Sequence, residues 1–192
     1  MRKEKNRTAA TVITMLVIAF AVISFYFYWS YRSVPLQELS EENMTEVEKL
    51  LNKDLERYYP ETPRETVKLL GSMIKVLYDN ISDDEVKELA IKVRELYDDD
   101  FLAVNPEETY LMNLYTDIAS WKEKNRRIST YYLVKQELEQ REVMGGREYA
   151  TVYISFTIQE NMKFTEIWKV MLRQNEDEQW KILGWQIVPE EE

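Results

Sequence analysis

EYATVYISFTIQE, residues 148–160, is the segment from which the architecture can be worked out. Apolar side chains stand at every second position from Ala150 to Ile158, and Tyr, Thr and Ser fill the positions between them. A period of two places these two sets on opposite faces of a β-strand. The pattern is typical of an antiparallel sheet that buries one face and leaves the other partly polar.

Three further segments share this period and complete the predicted sheet. Upstream, residues 127–143 are rich in Tyr and Val at their start, and Gly145-Gly146 supplies the positive φ angles that a tight hairpin needs. Downstream, residues 164–173 and 179–188 alternate in the same way and flank a polar turn. Four strands joined by short turns predict an antiparallel meander.

Four helix-start signatures precede the sheet. Each has a Ser, Thr or Asn followed three residues later by Glu, a pair that satisfies the free N–H groups of a first helical turn. The caps are Asn43, Thr62, Ser82 and Asn105, and apolar residues follow each of them at helical spacing. The fold class is therefore α+β, with about four helices covering one face of a curved four-stranded antiparallel sheet.

An apolar run near the start of the chain predicts a membrane anchor. No Asp, Glu, Lys or Arg occurs from Thr8 to Tyr31, and about 20 such residues cross a hydrocarbon core. The segment is therefore predicted to be a transmembrane helix that binds the lipid bilayer. A cleaved secretory signal is the alternative, because Ala19-Phe20-Ala21 has the small-x-small pattern of a cleavage site.

Charge at the start of the chain predicts the orientation of the anchor. Basic residues at positions 2, 3, 5 and 7 favour a cytoplasmic N-terminus, which places the rest of the single-pass chain outside the cytoplasm at the cell membrane. The predicted organisation is a basic N-terminus at 1–7, the signal anchor at 8–31, a tether at 32–43, an extracytoplasmic domain at 44–188 and an acidic tail at 189–192.

Composition excludes several chemistries. The 192 residues include 25 Lys and Arg against 35 Asp and Glu, and residues 33–192 hold 20 and 34 of these, a net charge of −14. Such an acidic domain repels phosphate backbones, so no nucleic-acid partner is expected. The absence of His and Cys excludes imidazole and thiolate chemistry, and four glycines cannot form a Gly-rich phosphate loop. No cofactor is predicted.

The acidic run Asp98–Asp100 is the one sequence feature that could attract a hard cation. It lacks the alternating ligand spacing and the glycine of a calcium loop. A solvated helix end explains the run without a metal, and no metal site is predicted.

The order of helices and strands, closing on QWKILGW at 179–185, resembles the nuclear-transport-factor-2-like, or cystatin-like, α+β roll over residues 44–188. This resemblance implies helices packed into the concave side of the sheet around a cone-shaped pocket. The whole chain also resembles a group of uncharacterised single-pass proteins of clostridial-type gram-positive bacteria. The second resemblance depends on RYYP at 57–60, TPRE at 62–65, NPEE at 105–108 and GREYA at 146–150.

The roll resemblance raises the question of an isomerase-like pocket. Such an enzyme needs a carboxylate base and a phenol for the developing oxyanion. Glu137 or Glu166 could supply the base, and Tyr131, Tyr132, Tyr149 or Tyr153 the phenol. Tyrosines at alternating strand positions more often pack than react, so the sequence predicts that the protein is not an enzyme.

The favoured hypothesis is a membrane-anchored extracytoplasmic domain that binds or scaffolds a protein of the bacterial cell envelope. The alternatives are a small-ligand or ketosteroid-isomerase-like pocket domain and an accessory subunit of a secretion or conjugation channel. Aromatic side chains dominate binding hot spots. Those predicted to line an interface or a pocket are Tyr58, Tyr59, Tyr132, Tyr149, Tyr153, Trp168 and Trp185.

Overall fold

The computed structural model describes residues 44–135 and 139–189. The chain divides into two compact units, residues 1–44 and 45–192, and the second contains the described helices and strands. The predicted anchor at 8–31 and tether at 32–43 lie outside the described residues, as does most of the predicted tail. None of the helices in the described ranges has the length and apolar character that crossing a bilayer requires.

Five helices come first in the described part of the chain. They are α1 (Glu46–Leu51), α2 (Pro63–Leu77), α3 (Asp83–Arg94), α4 (Asp99–Val104) and α5 (Glu107–Glu123). The predicted caps at Thr62 and Ser82 are confirmed, and each forms a complete capping box with the Glu three residues later. Helix α1 is capped by Thr45 with Glu48, two residues beyond the predicted start.

The prediction of a cap at Asn105 was wrong. Asn105 ends α4, where its side-chain Nδ2 donates to the carbonyl of Phe101 at 3.0 Å, and Pro106 precedes α5 without a capping hydrogen bond. Helix α4 itself was not predicted, because its six residues are too few to show a periodic apolar stripe.

The sheet has five strands, all paired antiparallel: β1 (Arg127–Leu133), β2 (Gln140–Met144), β3 (Arg147–Gln159), β4 (Lys163–Gln174) and β5 (Trp180–Val188). Their order is β1-β3-β4-β5, and β2 pairs with β3 beyond the end of β1. The fold class is therefore α+β with five helices and five strands in the described residues. The prediction of about four helices on four strands was wrong.

The extra strand arises because the predicted strand 127–143 is interrupted. Leu133 pairs with Ile154 and Gln140 pairs with Thr151, and the amide of Val134 still donates to the carbonyl of Tyr153 at 2.9 Å, so residues 134–139 connect the end of β1 to the start of β2. This segment, VKQELE, lacks the alternation that lies on either side of it. Strands β1 and β2 occupy the same edge of β3 one after the other.

The helices cover one face of the sheet. On β3 the apolar set predicted from the alternation is buried, and Val152, Ile154 and Phe156 are at most 1% exposed. Helix α2 approaches most closely at Gly71, where an added Cβ would lie 2.5 Å from Cδ1 of Ile154 and 2.7 Å from Cδ2 of Tyr131. We call this side of the sheet the helix face and the opposite side the outer face.

A short segment after α3 extends the sheet beyond β5. Ile182 donates to the carbonyl of Leu96 at 2.8 Å, and the amide of Asp98 donates to the carbonyl of Ile182 at 2.9 Å. The Asp98 carboxylate caps α4 and accepts two hydrogen bonds from Arg173, one of them from Nε at 3.0 Å. Asp98 is therefore buried, and the expectation of a solvated helix end at this residue was wrong.

Candidate functional site

The seven predicted site residues fall into three separate places. Tyr132, Tyr149 and Tyr153 occupy positions of the outer face, as their strand registers require. Trp168 and Trp185 occupy positions of the helix face, paired with Ile154 and Val170. The remaining two, Tyr58 and Tyr59, lie in the connection between α1 and α2. The structure therefore does not bring the predicted residues into one site.

The outer face has an apolar row that crosses four strands. Strand pairing places Tyr132, Ser155, Ile167 and Val188 side by side on β1, β3, β4 and β5. Tyr132 is 55% exposed, and Met171 on the same face is 43% exposed. Ser155 between its larger neighbours is fully buried, and its hydroxyl has no hydrogen-bond partner among the described residues.

Tyr153 and Tyr149 continue the outer face along β3. Tyr153 pairs with Lys169 and Tyr149 with Arg173, and both phenols are half-buried. Tyr153 is a diagonal neighbour of Tyr132, a spacing that long side chains can bridge. The three tyrosines with Met171 and the apolar row form one continuous surface, which we take as the candidate site.

The two tryptophans belong to an aromatic cluster on the helix face. Their rings stack with centroids 5.3 Å apart and an interplanar angle of 2°. Phe101 from α4 packs edge-on against Trp185, and the ring of Tyr97 packs against both Phe101 and Trp185. Neither tryptophan lines any of the three clefts described here, whose volumes are about 600, 540 and 290 Å³.

Glu166 lies beside this aromatic cluster. It pairs with Phe156 on the helix face, and the Trp168 indole N–H donates to its carboxylate at 3.5 Å. The other predicted base, Glu137, lies outside the described residues. Three of the four predicted phenols, Tyr132, Tyr149 and Tyr153, thus stand on the face opposite to Glu166, whereas Tyr131 pairs with Phe156 on the helix face.

Three largely buried tyrosines, Tyr78, Tyr97 and Tyr110, were missed by the sequence analysis. The Tyr78 hydroxyl donates to Asp117 of α5, and Tyr110 packs edge-on against Tyr97. The Tyr97 hydroxyl has no partner of normal hydrogen-bond geometry in the described ranges. Because these phenols come from helices and from the segment before α4, a search for alternation along strands could not find them.

Tyr58 and Tyr59 differ in their surroundings. Tyr59 donates through its hydroxyl to the carbonyl of Trp180 at 3.0 Å, and the ammonium of Lys181 lies 4.1 Å from its ring centroid. Tyr59 and Lys181 line the cleft of about 290 Å³ together with Glu95. Tyr58 is 70% exposed, and the guanidinium of Arg57 lies over its ring. Tyr59 is therefore a packing residue of the domain, and Tyr58 is a surface residue.

Within the described ranges no group of three or more carboxylates, histidines or cysteines is placed to hold a metal ion. Asp98 and Asp99 line the cleft of about 600 Å³, but Arg173 also lines it and neutralises Asp98. The arrangement there is an ion pair that joins α4 to β4.

Buried phenols predict a loss of stability at alkaline pH. Burial is the main cause that raises the pKa of Tyr59, Tyr78, Tyr97 and Tyr110 above the ordinary value. A raised folded-state pKa contributes stability that is complete below the unfolded pKa of about 10 and is lost as the pH rises above it. We therefore expect the free energy of unfolding to fall above about pH 10.

A spectrophotometric titration of the phenolate absorbance, followed together with circular dichroism, checks this expectation. The four buried phenols should ionise only as the helical signal disappears. Ionisation of every tyrosine with the helical signal intact would contradict it.

A comparison with curated proteins found none that matches the chain. A family model described as "Domain of unknown function (DUF6715)" matches residues 1–185. The match begins before the apolar run at 8–31, includes every described helix and the outer-face positions of β1 to β4, and ends within β5 at Trp185. Because this model covers nearly the whole sequence, the chain belongs to the family described as a domain of unknown function, DUF6715.

Proposed function

We propose that this protein is a binding domain held at the membrane by residues 8–31, and that it recruits a protein of the cell envelope through the outer face of its sheet. The domain acts by binding and carries out no reaction. Holding a binding domain at a membrane raises its effective concentration toward a partner in the same membrane. An accessory role in a secretion or conjugation channel is one specific form of this proposal.

The observation that carries the proposal is the exposed apolar surface of the outer face. Tyr132 and Met171 expose roughly half of their side chains on a sheet whose opposite face is covered by helices. Contiguous exposed apolar surface on a folded domain commonly marks a place where another molecule binds. Tyrosine and methionine are enriched at protein interfaces, which favours a protein partner.

The two edges of the sheet are less suited to binding than its outer face. Strand addition needs a continuous row of free backbone groups, and this edge is divided between two strands, since β1 ends at Leu133 and β2 begins at Gln140. At the other edge, residues 96–98 already pair with Ile182 of β5. A partner that binds side chains across the strands therefore fits better than one that adds a strand.

Attachment to the membrane is supported by the sequence. The uncharged run from Thr8 to Tyr31 and the basic residues before it are the features that favour an anchor with an extracytoplasmic domain. Protease added to intact spheroplasts is expected to digest residues 44–189 without lysis. Protection of this domain until the membrane is opened would contradict the extracytoplasmic location.

Site-specific photocrosslinking in intact cells tests the outer face. A benzophenone side chain in place of Tyr132 or Met171 of the full chain should give one common membrane-protein adduct. The matched control carries the same group in place of Lys68, an exposed residue of α2 on the helix side of the domain. Equal adducts from all three positions, or none from Tyr132 and Met171, would overturn the proposed binding face.

A second candidate function is binding of a small apolar ligand at the aromatic cluster. The buried Tyr97 hydroxyl beside Trp185 and Tyr110 favours it, because no hydrogen bond of normal geometry satisfies this hydroxyl within the described residues and a ligand acceptor would satisfy it. A thermal-shift screen of the full chain in detergent against a metabolite library tests this candidate. Ligands that stabilise the protein but lose their effect in Tyr97→Phe would support it.

A further inference from the structure

From the distribution of charge on the sheet we infer that the partner surface bound by the outer face is an acidic protein segment, with Lys169 at the centre of the contact. This inference rests on the proposed function, since it names the chemistry of the partner at the same face. It concerns charge, whereas the proposal above depends on exposed apolar side chains.

The strands carry their positive charges almost entirely on the outer face. Strand register places six of the seven Lys and Arg residues of the five strands there, but only one of the three Glu residues. The basic residues are Arg127, Arg147, Lys163, Lys169, Arg173 and Lys181, and the acidic one is Glu142. The exceptions, Arg141, Glu148 and Glu166, occupy helix-face positions.

Some of these cations already form ion pairs or hydrogen bonds within the domain. Arg173 is paired with Asp98 and Asp100, and the ammonium of Lys181 donates to the carbonyl of Glu95 at 2.8 Å. Neither Lys169 nor Lys163 has an ion-pair partner in the described part of the chain. Lys169 stands between Tyr153 and Gln186, next to the apolar row, so its charge lies in the middle of the candidate site.

This segregation is unusual because residues 33–192 carry a net charge of −14. At physiological ionic strength, salt screens exposed charges over a distance of about 8 Å. A bound partner therefore interacts mainly with the charges near it and less with the net charge of the domain. The strand positions of the outer face, with six cations and one carboxylate, therefore favour an acidic partner there despite the net negative charge of the domain. Complementary charge of this kind sets the binding orientation and the association rate.

The surroundings of Lys169 favour a protein over a membrane or a nucleic acid. Insertion into a bilayer needs apolar side chains gathered on one protrusion, but the exposed Met144 and Met162 lie at opposite ends of the 13-residue strand β3. The centre of the face combines Tyr132, Ile167 and Lys169, a mixture of aromatic, aliphatic and cationic groups that is typical of protein interfaces.

The test measures binding of a short fluorescent poly-L-glutamate to the full chain in neutral detergent by anisotropy. The unmodified protein should bind at low ionic strength and release the probe as salt is added. Lys169→Glu should weaken binding about tenfold or more. Lys68→Glu and Lys87→Glu change the net charge equally on exposed faces of α2 and α3, and should stay within about twofold of the unmodified protein.

Three outcomes would overturn the inference. These are absence of poly-L-glutamate binding, equal weakening by all three charge reversals, and a clear preference of the Lys169 site for polyuridylate or for phosphatidylglycerol vesicles. Circular dichroism of each variant separates loss of binding from loss of folding.

This experiment is independent of the photocrosslinking test. Crosslinks through Tyr132 without poly-L-glutamate binding would retain the proposed face and reject an acidic partner. Binding of the acidic probe without a crosslinked protein would reject recruitment in the cell and retain the charge preference of the face.

Discussion

Replacing Asp98 with alanine is expected to lower the free energy of unfolding by about 3 kcal/mol, since removing one member of a buried ion pair leaves the other charge unpaired. Asp98 accepts two hydrogen bonds from Arg173, whose side chain is only 14% exposed. The same carboxylate caps α4, and loss of a cap costs about 1 kcal/mol by itself. Urea unfolding followed by circular dichroism measures the difference.

Asp99→Ala is the matched control, because it removes a neighbouring carboxylate that is exposed. It should change the free energy of unfolding by no more than about 0.5 kcal/mol. Similar losses of unfolding free energy in the two variants would show that Asp98 stabilises the domain only as one more negative charge. Its contact with Arg173 would then add nothing. The double variant Asp98→Ala/Arg173→Met should recover part of the loss, since it removes the unpaired charge.

Gly71→Val is expected to destabilise the domain by about 2–3 kcal/mol, because it overpacks the contact between α2 and the sheet. Its Cβ would meet Cδ1 of Ile154 at 2.5 Å and Cδ2 of Tyr131 at 2.7 Å, so the helix must move away from β1 and β3. Ser72→Val places the same side chain on the next residue of α2, which is partly exposed, and should cost much less. The measurement is again urea unfolding.

A double-mutant cycle with Ile154→Val identifies the cause of this loss. In the natural background that truncation should cost about 0.5–1.5 kcal/mol, because it leaves a small cavity. In the Gly71→Val background it removes the methyl group that clashes, so its cost should be smaller by at least about 0.5 kcal/mol. Strict additivity of the two substitutions would contradict the proposed contact.

The parts of the fold that could be predicted are those that local periodicity determines. The alternation along β3 gave the buried set correctly, since a strand with one covered face must repeat every two residues. Thr62 and Ser82 were recognised as caps because the side chains that satisfy a first helical turn are close in sequence.

The missed features depend on contacts between residues that are distant in sequence. The pairing of β2 with β3 is set by register across a hairpin, and the lack of alternation in residues 134–139 does not by itself show where a second strand begins. Burial of Asp98 depends on Arg173, 75 positions later, so the run Asp98–Asp100 resembled an exposed helix end.

For the candidate site, the sequence predicted which residues of a single strand share a face of the sheet. It did not predict which residues of different strands lie on the same face. Tyr149 and Tyr153 were expected on the same side of β3, and they are. Trp168 and Trp185 were grouped with them by residue type, but pairing with Ile154 and Val170 places both on the other side. Assigning the basic residues to the outer face likewise required the register of all five strands.

The pairing of Ile182 with residues 96–98 has a consequence for synthesis of the protein. A chain made from its N-terminus has all five helices before it has β5. Leu96 and Asp98 are therefore synthesised before Ile182, their hydrogen-bonding partner 84 to 86 positions later. Contacts of such long range form late and slow folding. On the ribosome α2 can pack against β1 and β3 as they emerge, but residues 96–98 gain their pairing only when the final strand emerges.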